Sequence, residues 1–203
     1  MPLTPLHYVF AYALHRFDEK RLNLPALTVG SMAPDLEVIF LYFSNVLSQA
    51  GAHAHIRLFL HSILGAITLG TLISVIVTVM VYPPVMHRFL GIELTYIQRL
   101  CRFNRTTFLS CLLGAFTHVA IDATHHNYNP LLYPFSAASF DNLVLFEDWS
   151  SATVVVQAFL FAIFLLIFAM EIKRSKSGFW TRLLVGVSII TPSSVAPTPG
   201  LNP

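Results

Sequence analysis

The chain has 203 residues, 55% hydrophobic and only 11% charged, with a net charge of +2 and a mean hydropathy of +0.67. A soluble domain carries about 25% charged residues, so the class is integral membrane protein. The basic residues form no cluster suited to nucleic acid, and Cys101 and Cys111 offer neither a CxxC pair nor a disulfide framework.

The N-terminal stretch Met-Pro-Leu-Thr-Pro-Leu-His7 lacks the positive leader and small-residue cleavage site of a secretory signal, so the chain is expected to keep His7. A short helix is predicted over residues 5–15. Residues 25–47 are apolar but interrupted by Gly30-Ser-Met-Ala-Pro-Asp35. Pro34 suits the first turn of a helix, with Ser31 as a candidate cap, which predicts a helix over 34–47. Asp35 then stands at a helix N-terminus, where the macrodipole favours its charge. Were 25–47 one continuous span, Asp35 would lie near mid-membrane; a break at 30–34 lifts it towards the outer side, and such breaks are tolerated where they line a polar cavity. His7 must likewise sit on a short helix that dips in.

Crossing the hydrocarbon core takes about 20 residues, and three segments are long enough: 59–82, from 105 or 107 to about 125, and 152–170. The first is expected to stop at Pro83-Pro84. The second should end before the turn-forming run Asn127-Tyr-Asn-Pro, and the third at Glu171-Ile-Lys-Arg-Ser-Lys. The apolar run 179–190 is too short to read as a span, and the Pro- and Ser-rich tail 191–203 is expected to be disordered. The predicted fold is all-α: a polytopic membrane helical bundle with four to five membrane-embedded helices, forming a single domain over 1–190.

Positive charge sets the orientation. Arg88, Arg99, Arg102 and Arg105 lie between the first two strong spans, and Lys173, Arg174, Lys176 and Arg182 follow the third. The loop 127–151 carries Asp141, Glu147 and Asp148 and no Lys or Arg. The positive-inside rule places the Arg-bearing loop in the cytoplasm, together with His15, Arg16, Lys20 and Arg21. Arg57 is the one outer exception. The histidines at 53, 55, 61 and 118–126 then gather near the outer helix ends, while His87 lies on the opposite side.

The segment His118-Val-Ala-Ile-Asp122-Ala-Thr-His125-His126 closes an apolar run. An Asp at the centre of a membrane helix costs about 2.5–3.5 kcal/mol on insertion scales, so Asp122 needs water, a cation or a hydrogen-bonded partner. At 3.6 residues per turn, His118, Asp122 and His125 share one helical face, with His126 beside it. Imidazole and carboxylate are the usual protein ligands for zinc, non-haem iron and manganese when thiols are absent. A His–Asp pair one turn apart also serves simply to satisfy a buried imidazole. His53 and His55 read as interfacial loop residues, and Glu37 either as a solvated neighbour of Asp35 or as a base. Arg57 stands four residues before His61 and suits an anionic substrate, since guanidinium binds oxyanions in a bidentate way.

The order Met-Pro-Leu-Thr-Pro-Leu-His7, Gly30-Ser-Met-Ala-Pro-Asp35, Arg57-Leu-Phe-Leu-His61-Ser62, His118-Val-Ala-Ile-Asp122-Ala-Thr-His125 and then Pro134 resembles the bacterial membrane-bound metal-dependent hydrolase family. It is closer still to a related membrane-protein family of unknown function. The likeness spans about residues 1–135. It implies His7, Asp35, His61, His118 and Asp122 as metal ligands, with Arg57 and Ser62 alongside. The wider grouping is similar to zinc-dependent phospholipases C, which bind several zinc ions through His and Asp and hydrolyse phosphodiesters. The chain departs from the hydrolase pattern at His55-Ile56-Arg57, where a His-Arg dipeptide is often expected.

Together these readings predict an outward-facing site with His7, Asp35, His61, His118, Asp122 and His125 as metal ligands for a divalent cation, zinc being the expectation. Arg57 is expected to stabilise an anionic transition state, with Glu37 as a candidate base. The expected function is hydrolysis of phosphoesters or lipid-like substrates in a bacterial inner membrane, with membrane lipid as the partner and no nucleic acid. A non-enzymatic ion or proton relay through the same groups is the alternative; a haem held by facing histidines fits less well beside carboxylates.

Overall fold

The computed structural model describes residues 4–47, 57–175 and 178–186. Among them every regular element is helical, as the composition and periodicity predict, and the chain is a membrane helical bundle. His53, His55 and the tail 191–203 fall outside the described residues.

The chain opens with a 3-10 turn, Thr4–His7, that runs into α1, Tyr8–Phe17. Next comes α2, Leu24–Gly30, capped by Asn23, whose side chain accepts from the Ala26 amide. A turn over 31–34 separates it from α3, Asp35–Leu47. The break lies where Gly30 and Pro34 predict it. Ser31, however, does not cap α3: its hydroxyl donates to the Thr28 carbonyl at the end of α2, 3.0 Å away.

Helix α4 runs over Ile63–Leu90, so the predicted stop at Pro83-Pro84 is overturned. The reason lies just upstream. Two π-helical turns, Ala66–Gly70 and Val77–Val81, widen the helix, and the second carries the Tyr82 amide back to the Val77 carbonyl, ahead of the two prolines. A wide turn accommodates the proline rings and missing amides that would break a regular α-helix. The helix ends instead at Gly91, whose φ of 64° is the left-handed C-terminal conformation glycine adopts most readily.

Helix α5, Leu94–Leu100, leads to α6, Arg105–Asp122, which is capped by Asn104. Residues 123–125 then form a turn, so α6 ends one turn earlier than its sequence suggests. Helix α7, Trp149–Arg174, starts at Asp148, whose carboxylate accepts from the Ser150 and Ser151 amides. Last is α8, Phe179–Val185, too short to cross a bilayer.

Among the described residues, three helical stretches are long and apolar enough to cross a membrane: Leu24–Ser44, Ile63–Leu90 and Trp149–Arg174. The first contains the 31–34 turn. The strong span predicted over 105–125 is not one of them, because α6 carries Thr107, Ser110, His118 and Asp122 on a face packed against protein, while Phe108, Leu109 and Phe116 on its other side stay exposed. It buries Thr107, Ser110, Cys111, Gly114 and His118 against α2 and α4, and a helix packed inside protein needs less apolar surface than one facing lipid. Helix α7 does the opposite, exposing Val154, Phe159 and Leu166, and α3 exposes Phe40 and Phe43.

One apolar core joins α1, α2, α7 and α8 through Leu6, Val9, Leu24, Leu27, Leu160 and Leu183. A second, around Ala66, Ala115 and Val119, ties α4 to α6, with Leu131 packed against it. At the far end, Glu171 is buried and receives the Tyr12 hydroxyl at 2.6 Å and Arg182 Nε at 2.9 Å.

Candidate metal centre

Four elements deliver the polar side chains to one place. The 3-10 turn brings His7, the start of α3 brings Asp35 and Glu37, the bend before α4 brings Arg57 and His61, and the end of α6 brings His118, Asp122, His125 and His126. All of these except Glu37 are buried. The broken second segment lifts Asp35 to the level of His118, and the dipping N-terminal turn does the same for His7.

Asp122 is the hub. Its Oδ2 lies 3.3 Å from His118 Nε2, 3.8 Å from His61 Nε2 and 3.0 Å from Arg57 NH2. Its Oδ1 lies 3.2 Å from His7 Nε2, 3.7 Å from His126 Nε2 and 3.9 Å from His125 Nε2. Asp35 Oδ1 sits 3.5 Å from both His61 Nε2 and His118 Nε2. Two donor groups result, Asp35–His61–His118–Asp122 and Asp122–His125–His126, each with its ligand atoms within 4.8 Å of one another; either could hold a metal ion.

The imidazoles are oriented from behind. His118 Nδ1 donates to the Ser31 carbonyl at 2.7 Å, and His125 Nδ1 to the Ile121 carbonyl at 3.0 Å. A carbonyl can only accept, so Nδ1 carries the proton and Nε2 can present its lone pair to the site. His61 Nδ1 meets Glu37 Oε2 at 3.0 Å in the same way. Glu37 also accepts from the Leu58, Phe59 and Leu60 amides, at 2.9, 2.7 and 3.1 Å, and so clamps the bend that carries Arg57 and His61. His7 stacks on His118, ring centroids 4.1 Å apart. Ser62, predicted alongside the ligands, caps α4 by accepting from the Gly65 amide.

Burial favours the neutral form at three of the imidazoles. Burial pushes His7, His125 and His126 below the ordinary imidazole value, His126 down to about 2, where the Arg57 guanidinium adds to the effect. Burial also lowers Arg57, against the pull of Asp122, Asp35 and Glu37.

Two contributions are not visible in the sequence pattern. The Ser31 carbonyl that orients His118 belongs to the backbone, which any residue supplies. Asn129, in the turn-forming run, donates to the His126 carbonyl at 2.8 Å and the Ala123 carbonyl at 3.3 Å, holding the turn that aims His125 and His126; an Asn buried in a polar turn is the only cue. His87 is exposed near the other end of α4, bonded to the Ile92 carbonyl and apart from the cluster, as predicted, although it lies within the helix and not past its end.

No curated protein and no solved structure matches the chain. The profile of the YdjM inner membrane protein family matches residues 5–196, nearly its whole length, and accounts for the apolar helices as those of an integral inner membrane protein. Of the two resemblances read from the motifs, this match supports the membrane-protein family and brings no hydrolase activity with it. The chain belongs to the YdjM inner membrane protein family.

Proposed function

We propose that this protein is a metal-dependent hydrolase embedded in the inner membrane, with a divalent cation, zinc first, held by Asp35, His61, His118 and Asp122. The observation that carries this reading is a concentration of unpartnered buried atoms. His7 Nδ1, Asp35 Oδ2, His61 Nε2, His118 Nε2 and His126 Nε2 are buried without a hydrogen-bond partner, and all belong to this one cluster; the Asp122 oxygens have the Arg57 guanidinium at 3.0 Å and the His7 imidazole at 3.2 Å. Buried polar atoms are ordinarily satisfied, and each one left alone costs about 1–3 kcal/mol. With Nδ1 protonated, a bare Nε2 lone pair 3.3 Å from a carboxylate oxygen is repulsive unless a cation or a second proton lies between them. Three carboxylates, Asp35, Glu37 and Asp122, against the single guanidinium of Arg57 leave two negative charges, the charge of one divalent ion.

Such a cation polarises a phosphoryl or acyl oxygen and makes a bound water acidic near neutral pH. The chain's own residues supply the rest. Arg57, paired with Asp122 through one nitrogen, would receive an oxyanion on the rest of its guanidinium, which would favour phosphoesters and lipid-borne phosphoesters as substrates. Glu37 acts as a positioning residue rather than as the base, because its oxygens are taken up by three amides and His61. The second group, His125 and His126 with the far oxygen of Asp122 and His7 beside it, is available to a second ion sharing the Asp122 carboxylate.

The same enclosure supports an ion or proton relay as a second reading, since a second proton relieves the Nε2–carboxylate contacts as a metal does. Purification without chelator, followed by mass-spectrometric metal analysis of wild type and the His118→Ala, Asp122→Ala double variant, tests the first reading. One or two equivalents in wild type and none in the variant, together with metal-dependent turnover of a phosphodiester or phospholipid, are expected. Stoichiometric metal without turnover favours the relay, and wild type free of metal removes the centre.

A further inference from the structure

At the opposite end of the bundle a second polar feature takes no part in the site above. A cavity of about 360 Å³ opens between the end of α1, the end of α7 and α8. Among the described residues, Arg16, Lys20, Arg174 and Arg182 line it against two carboxylates, Glu19 and Glu171. Both carboxylates are committed: Glu171 to Tyr12 and Arg182, and Glu19 to Arg16. Arg174 reaches Glu171 only at 3.6 Å, on an oxygen already bonded to Tyr12. The cavity therefore carries two positive charges in excess, centred on Lys20 and Arg174, and both side chains lie on the surface. Phe17, which follows Arg16 in the chain, is 89% exposed, and Trp180, on the same short helix as Arg182, is 49% exposed.

We propose that this cavity binds a phosphate-bearing anion, supplied by the headgroup of an anionic phospholipid of the cytoplasmic leaflet. The orientation read from the sequence puts this end of the bundle at that leaflet. Basic pockets between helices on the cytoplasmic side suit such headgroups, because Lys and Arg near the surface attract anionic lipid. The cavity is large enough for a glycerophosphate group. Unlike the metal centre, this site presents no bare imidazole and no free carboxylate, so it suits an anion and not a cation.

The test uses the full chain in uncharged detergent and native mass spectrometry, with phosphatidylglycerol, phosphatidylcholine of the same chains, and inorganic phosphate as separate probes. Phosphatidylglycerol is expected to bind at least tenfold more tightly than phosphatidylcholine. In the Lys20→Gln, Arg174→Gln variant that preference falls at least fivefold. The Arg99→Gln, Lys173→Gln variant removes two charges outside the cavity and keeps the preference. Phosphatidylglycerol bound with this pattern supports the lipid source. Inorganic phosphate bound in its place, with the same sensitivity to Lys20 and Arg174, supports the anion site and assigns it to a soluble phosphoester. Equal binding of the two lipids, or an equal loss in both double variants, overturns the proposal. Metal content and phosphoester turnover are not read, so failure here leaves the metal centre standing, and the reverse.

Discussion

Gly30 of α2 and Gly114 of α6 bring two helix backbones into direct contact. A Cβ on Gly30 would lie 2.5 Å from the Cys111 carbonyl oxygen, and one on Gly114 2.5 Å from the Leu27 carbonyl oxygen. This crossing sets Ser31 beneath His118, where its carbonyl receives Nδ1. A side chain at either glycine must push α2 from α6, because the obstacle is backbone and cannot rotate away.

Gly30→Ala and Gly114→Ala are therefore expected to destabilise the fold by about 1–3 kcal/mol, the usual cost of overpacking. They should also weaken metal retention although neither residue is a ligand. Thermal unfolding in detergent together with metal analysis checks this; either variant with wild-type stability and full metal content contradicts the crossing as described.

Glu37→Gln should act through His61. Gln keeps an oxygen for the backbone amides but no longer offers a carboxylate to Nδ1, so ring orientation and basicity suffer. Loss of such a supporting partner lowers metal affinity by about 10- to 100-fold. Competition with a calibrated chelator measures it. If Glu37 were the catalytic base instead, turnover would collapse with affinity unchanged.

The two donor groups should come apart by mutation. Asp122→Asn touches both and is expected to abolish metal binding altogether. His125→Gln with His126→Gln should spare the group of Asp35, His61 and His118 and lose at most one equivalent. Metal counting by mass spectrometry on the same preparations distinguishes them, and complete loss in the His125, His126 variant would show that the groups form a single ion's shell.

Acid should destabilise the metal-free protein. His7, His125 and His126 are held below their ordinary value of 6.5 by burial, so they stay neutral in the folded state while the unfolded imidazoles take up protons. Depressed histidines give stability that is present above pH 6.5 and lost as pH falls below it, at up to about 1.4 kcal/mol per pH unit for each group. The melting temperature of chelator-treated protein is expected to fall between pH 6.5 and 5, and less steeply in the His125→Gln, His126→Gln variant. A flat profile over that window would mean that these imidazoles are not buried neutral.

The sequence by itself was enough for the membrane class, the helical architecture, the break at Gly30–Pro34 and the identity of the polar residues, because each follows from local composition. Charge scarcity demands a bilayer, Pro and Gly punctuate helices, and a carboxylate in an apolar run demands company. Other features depended on packing between distant segments. The π turns that carry α4 past Pro83-Pro84 become visible only once that helix is packed, and the packing of α6 against α2 and α4 shows where its polar face goes. The two-sided arrangement around Asp122 needs Oδ1 and Oδ2 aimed at ligands from residues 7, 61, 118 and 126, a choice of side-chain rotamer that no spacing encodes. Glu37 shows the difference best: beside Asp35 in the chain it reads as a second acid, and only the approach of residues 58–61 turns it into the clamp that holds His61.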